Sequence, residues 1–136
     1  MDYESLQILW FVLIAGLWIG FFFLEGFDFG VGMLLPFLGR NDVERRAIIN
    51  TIGPVWDANE MWLILAITSM FAVFPNWYAT MLSGFYLIMV IIIVGLIIRG
   101  ISFEYRSKDS RPQWRGRFDW MIVVGSFINS FLFGIL

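Results

Sequence analysis

Charged residues in this chain come in blocks separated by long apolar stretches. Positions 5–24, 61–98 and 120–136 carry no charge, and within 61–98 the only interruption is Phe74-Pro75-Asn76. A helix crossing a bilayer needs about 20 mostly apolar residues. The pattern predicts four of them, over 5–35, 54–74, 77–99 and 118–136. At ~1.5 Å per residue the first would overshoot a hydrocarbon layer of ~30 Å, so a tilt or a break near Gly30-Val31-Gly32 is expected, with Pro36 ending the helix. Between helices lie polar segments 36–53 and 100–117. In the first of these, Asn41 followed by Glu44 has the spacing of an N-cap and its reciprocal partner. A short surface helix is expected from there to Thr51-Ile52, stopping at Gly53-Pro54. The architecture expected is all-α: a polytopic membrane protein whose residues 1–136 form one antiparallel four-helix bundle. The fourth helix is still running at Leu136, which points to a longer protein.

Charge placement adds an orientation. All nine Lys and Arg residues fall in two segments, Arg40, Arg45 and Arg46, then Arg99, Arg106, Lys108, Arg111, Arg115 and Arg117. Four crossings put both segments on one side, and basic loops stay cytoplasmic. The N-terminus is therefore expected outside, and 36–53 and 100–117 inside. Trp56, Trp62, Trp114 and Trp120 near the inner boundary, with Trp10, Trp77 and Tyr78 near the outer one, fit interfacial belts. Met1-Asp2-Tyr3-Glu4 lacks the basic start of a cleavable leader.

Composition excludes several classes. With 60% hydrophobic and 15% charged residues, the chain departs in both respects from soluble domains, at about 45–50% and about 25%. A net charge of −2 argues against nucleic-acid binding. Without cysteine there are no disulfides or thiol chemistry. Without histidine the usual haem ligation is impossible within this chain, and Met33, Met61, Met70 and Met89 are expected to serve packing. No cofactor is expected to bind directly.

Candidate chemistry rests on four acids. Glu25 and Asp28 stand i,i+3 at the inner end of helix one, and Asp57 and Glu60 have the same spacing at the inner end of helix two. Residues three apart share a helix face, so four carboxyls can converge within one hairpin. Intramembrane acids are costly and suggest function, such as a proton relay. The plainer alternative puts them in the headgroup layer, capping helix starts or pairing with Arg40, Arg45, Arg46 or Arg99. A hard cation such as Mg²⁺ or Ca²⁺ is a third use of an all-carboxylate site. Gly16-x-x-x-Gly20 and Gly26-x-x-x-Gly30 let helices approach closely. Arg99 ends helix three and either snorkels or pairs with an acid; Asn59 and Asn129 are expected to hydrogen-bond neighbours.

The motifs together resemble subunit II of cytochrome bd-type quinol oxidases. Glu25-Gly26-Phe27-Asp28-Phe29-Gly30-Val31-Gly32-Met33 is similar to the glycine-rich end of that family's first helix. Phe37-Leu38-Gly39-Arg40-Asn41-Asp42-x-Glu44-Arg45-Arg46, with Asn50 after it, resembles its first inner loop. Trp56-Asp57-x-Asn59-x-x-Trp62 resembles the start of its second helix, and Phe103-Glu104-Tyr105-Arg106-Ser107-Lys108 with Trp114 and Asp119-Trp120 its second inner loop. The matches run in order along nearly the whole chain.

The resemblance implies an oxidoreductase of a respiratory chain, in the bacterial cytoplasmic (inner) membrane, that reduces O₂ to water with electrons from quinol. It places b and d haems in a partner subunit I and makes this chain the N-terminal half of the haem-free subunit. Small accessory subunits, membrane lipids and a quinone or lipid at the surface complete the expected partners. Carried over by position, Asp57 lines a proton path from the cytoplasm, with Glu25 and Asp28 near it. Glu60 stands where the family can have glutamine, and Val55 where some members have histidine. Gly26, Gly30, Gly32, Trp56, Asn59, Trp62 and Arg99 have structural roles in this reading. Two readings from other classes stay open: a small four-helix proton-coupled transporter working as a homodimer through Glu25, and a purely structural membrane scaffold.

Overall fold

The computed structural model describes residues 2–136. They form α1 (Tyr3–Leu38), α2 (Asp42–Ile52), α3 (Trp56–Val73), α4 (Pro75–Gly84), α5 (Tyr86–Tyr105), a 3-10 turn (Arg106–Lys108) and α6 (Pro112–Ile135). Among the described residues there is no strand. Three helical stretches are long and apolar enough to cross a membrane: Tyr3–Leu38, Tyr86–Lys108 and Pro112–Ile135. α3 is shorter, at 18 residues, and opens with Asp57, Asn59 and Glu60.

The first helix does not break at its glycines. α1 runs unbroken for 36 residues and carries Pro36 inside its last turn. Glycine weakens a helix by only ~1 kcal/mol, and packing outweighs that here. A Cβ on Gly32 would collide with Ser126 of α6, so this glycine is a point of close approach. The helix stops at Gly39, whose N–H donates to the Leu35 carbonyl at 3.0 Å.

α2 begins as its sequence predicts. Asn41 Oδ1 accepts from the Glu44 N–H at 2.9 Å, and Glu44 reaches back to the Arg40 N–H at 2.8 Å. Ile49, with Leu35 and Ile122, forms a small buried cluster that fastens α2 against α1 and α6.

The expected helix 77–99 differs in three ways. It starts earlier, with Pro75 at the first position of α4. The residue before a proline is pushed out of the α region, and Phe74 at φ −126°, ψ 64° is the resulting break. It then bends at Phe85 (φ −114°, ψ 25°), after Gly84, without losing its ladder: the Phe85 N–H donates to Met81 at 3.0 Å and the Met89 N–H to Phe85 at 2.9 Å. It also continues past Arg99 to Tyr105. α6 begins at Pro112 rather than near 118, so of the expected loop 100–117 only Asp109–Arg111 is non-helical. Apolarity marks where lipid ends; the helices go on into the polar layer.

α1 lies along α3 on one side and α6 on the other, and α5 runs along α6. Phe21, Phe29, Leu63, Met89, Ile92, Leu96 and Phe133 form the main buried cluster. Outside it the surface is strongly apolar: Phe23 is 79% and Leu87 68% exposed. Water-soluble monomers rarely show contiguous apolar surface on this scale, so the outer face suits lipid.

Candidate functional site

Arg99, on α5, is the largest fully buried side chain. Its stem lies over Gly125 of α6, where a Cβ would stand 2.9 Å from Arg99 Cγ. Its guanidinium sits 4.5 Å from the Phe29 ring centre and 5.6 Å from that of Phe103. Neutral walls of this kind hold a cation in place but do not balance its charge.

The balance comes from acids. Glu25, fully buried on α1, forms a close ion pair with Arg99 Nη1. Glu60 of α3 has its Oε1 3.6 Å from the same nitrogen. Asp28, one turn along α1 from Glu25, is fully buried, and its Oδ2 accepts from Asn59 Nδ2 at 2.8 Å. Two carboxyls thus share one guanidinium, and a third, on Asp28, is buried one turn away against Asn59. Glu25 Oε2, Asp28 Oδ1, Glu60 Oε1, Arg99 Nε and Arg99 Nη2 have no hydrogen-bond partner among the described residues. Unsatisfied buried polar atoms are uncommon in native structures, and here five gather in one place.

The structure separates the fourth acid from this group. Asp57 is exposed, on the side of α3 turned toward a lateral groove of about 510 Å³. Glu60 lines the same groove together with Leu63, Ile67 and Leu96, so it alone among these acids touches both the groove and the buried cluster. Among the described residues, no three carboxylates come close enough to hold a metal ion.

The other singled-out residues divide. Trp56 packs on Phe103 with ring centres 5.4 Å apart. Trp62 turns inward, its ring over Gly20, and so belongs to the core and not to an interfacial belt. A Cβ on Gly26 or Gly30, as on Gly16, would meet nothing within 4 Å, so of Gly26, Gly30 and Gly32 only Gly32 is a point of close approach within the described residues. Asn129 is fully buried against the backbone of α5; with its amide turned so that each end meets a complementary group, the nitrogen donates to the Ile92 carbonyl at 3.2 Å and the oxygen accepts from the Leu96 N–H at 3.0 Å.

A second charged network escaped sequence reasoning. Asp119, two turns into α6 and buried, pairs with Arg106 and, at 3.1 Å, with Arg45. Arg106 also reaches Asp42 at 2.9 Å, and Arg115 reaches the other oxygen of Asp42 at 2.5 Å. These bonds tie α2 to the segment 106–119 and place both basic segments at one end of the molecule. The available signal was Asp119 itself, an acid next to basic residues where the apolar stretch 120–136 begins. Nearby, Arg111 hydrogen-bonds Asp109 and holds its carboxyl below the usual carboxylate range.

The sequence pattern of the family described as cytochrome bd terminal oxidase subunit II matches residues 6–136. The chain is 56% identical over 132 residues to cytochrome bd ubiquinol oxidase subunit 2 of Bacillus subtilis, which covers 97% of this chain and 39% of that protein. It is 47% identical over 135 residues to cytochrome bd-I ubiquinol oxidase subunit 2 of Escherichia coli K12, covering 99% of this chain and 36% of that one. A probable cytochrome oxidase subunit 2 of Haemophilus influenzae shares 45% over 135 residues. The chain therefore spans less than two-fifths of the length of these relatives. With its acid-and-arginine core between α1, α3 and α5, this chain belongs to the cytochrome bd terminal oxidase subunit II family.

Proposed function

We propose that this chain is the N-terminal bundle of the haem-free subunit of a quinol:O₂ oxidoreductase in a bacterial cytoplasmic membrane, and that it carries protons inward from the cytoplasmic side. In this reading α1, α3, α4–α5 and α6 give four crossings, with the N-terminus outside. The joined basic segments then face the cytoplasm, as basic loops do. The observation that carries the proposal is the buried group of Glu25, Glu60 and Asp28 built on Arg99 and Asn59, with Glu60 linking it to a groove that also holds Asp57.

The residues do not fit a haem. The sequence has no histidine, and the buried Met70 sulfur already accepts from the Trp18 indole at 3.2 Å. The haems of the family therefore belong to a partner subunit, where they would pass electrons from quinol to O₂. This chain's part concerns the protons that reaction consumes. Asp57, exposed in the groove, takes them up. Glu60, one turn further along α3, receives them at the edge of the buried cluster. Glu25 and Asp28, held by Arg99 and Asn59, keep acceptor oxygens deeper inside. Because Glu25 and Glu60 share one cation and Asp28 adds a third carboxyl beside them, a proton can enter the cluster without leaving an unbalanced positive charge there.

The test is Asp57→Asn in the full-length subunit within the assembled oxidase. Quinol-driven O₂ consumption should fall about a hundredfold, the lower range for a lost proton-transfer group, with the reduced-minus-oxidised haem spectrum unchanged. Normal turnover would remove Asp57 from the path. Loss of the haem bands would make it structural, and a haem-free wild-type preparation would overturn the oxidase assignment.

A further inference from the structure

The second network borders a cavity of about 290 Å³ lined by Arg40, Arg45, Arg115, Ser110, Asp42 and Asp119 among others. Its charges do not cancel. Asp42 and Asp119 are shared among Arg45, Arg106 and Arg115, and Arg40 has no ion pair within the described residues. Of the side chains lining the cavity, the three guanidinium groups of Arg40, Arg45 and Arg115 face the two carboxylates of Asp42 and Asp119, which leaves one positive charge there. Donors are also left over. Arg45 uses Nε on the Gly39 carbonyl and Nη1 on Asp119; Arg115 uses Nε on the Asp109 carbonyl and Nη1 on Asp42. Among the described residues each keeps Nη2 without a hydrogen bond, and the Ser110 hydroxyl has none either.

A smaller cavity of about 110 Å³ adjoins this one and shares Arg45, Gly116 and Asp119 with it. Its remaining walls are Leu35, Pro36, Trp120 and Val123, on the α1–α6 seam that leads toward the apolar belt. A cationic chamber opening onto an apolar furrow at a membrane boundary matches an amphiphile with an anionic head. A free anion would need only the chamber.

We propose that this double cavity binds one anionic phospholipid of the inner leaflet. Its phosphodiester accepts from Arg40, Arg45 and Arg115, and the start of an acyl chain lies along Leu35, Pro36 and Val123. Basic pockets at the cytoplasmic ends of membrane helices hold anionic headgroups in this way. The inference rests on the membrane orientation proposed above, and it is independent of the oxidase assignment.

Native mass spectrometry of the full-length subunit in its complex tests it, after delipidation and addition of micelles containing phosphatidylglycerol or phosphatidylcholine. Arg40 is exposed and makes no ion pair among the described residues, so Arg40→Gln should fold normally. One phosphatidylglycerol should be retained by wild type in preference to phosphatidylcholine. Arg40→Gln should lose it about fivefold more readily, the effect of one surface cation on an anionic lipid. Arg117→Gln, which removes an exposed cation outside the cavity, should change little. Equal losses for the two variants would mean diffuse surface charge, and equal retention of the two lipids would mean no charge selection. Displacement by millimolar inorganic phosphate would mean a free-anion site. Each of these overturns the proposal.

Discussion

Removing Arg99 should unbalance the buried cluster more than any other single change. Arg99→Met keeps an unbranched stem over Gly125 but leaves Glu25, fully buried, facing Phe29 with no cation. Breaking a buried ion pair from one side costs about 3–5 kcal/mol, and the lost stacking on Phe29 and Phe103 adds ~1 kcal/mol. The folded-to-unfolded ratio should fall by about two to three and a half orders of magnitude from the ion pair alone. Detergent-driven unfolding of the full-length subunit in mixed micelles, followed by tryptophan fluorescence, measures this. The decisive comparison is the double variant Arg99→Met with Glu25→Leu. Replacing both members of a buried pair by apolar groups is often neutral, so the double variant should recover most of the loss. Glu60 remains, but it lines the groove and can turn toward it. A single variant as stable as wild type, or a double variant no better than the single, would refute the view that Arg99 is held chiefly by Glu25.

Two further outcomes follow from the packing. Gly32→Ala drives a methyl into Ser126 and should cost about 1–3 kcal/mol, as overpacking does; Ser126→Gly should rescue it, while Gly16→Ala, with open space around it, should be neutral in the same unfolding assay. Asp119→Asn leaves Arg45 and Arg106 without their shared carboxylate, so α2 should detach from 106–119 and limited proteolysis should cut at 109–111 sooner than in wild type, with unchanged rates counting against the network as a clasp.

The acids were legible from the sequence because charges inside apolar runs are rare and their i,i+3 spacing sets a shared face. The spacing did not show that of Asp57 and Glu60, one turn apart on α3 and lining one groove, only Glu60 also reaches Arg99. Nor did it show which cation the acids meet. Arg99 lies 74 positions from Glu25, and only the seating of α5 on α6 through Gly95 and Gly125 brings it inward. A Cβ on Gly95 would collide with Asn129, so those two glycines set how close the helices come.

By itself the sequence determined the helical class, the apolar stretches, the cap at Asn41, the break before Pro75 and the clustering of all basic residues in two segments. These are local matters: a run of apolar residues, a capping side chain or a proline acts on its own few neighbours. The tertiary structure decided that Gly30-Val31-Gly32 is helical, that Trp62 faces the core, that Arg99 is shared by Glu25 and Glu60, and that Asp42 and Asp119 join the two basic segments. Each depends on what a distant helix presents at the point of contact. Shape and charge complementarity between such surfaces is a property of the pair, and no stretch of either strand of sequence contains it alone.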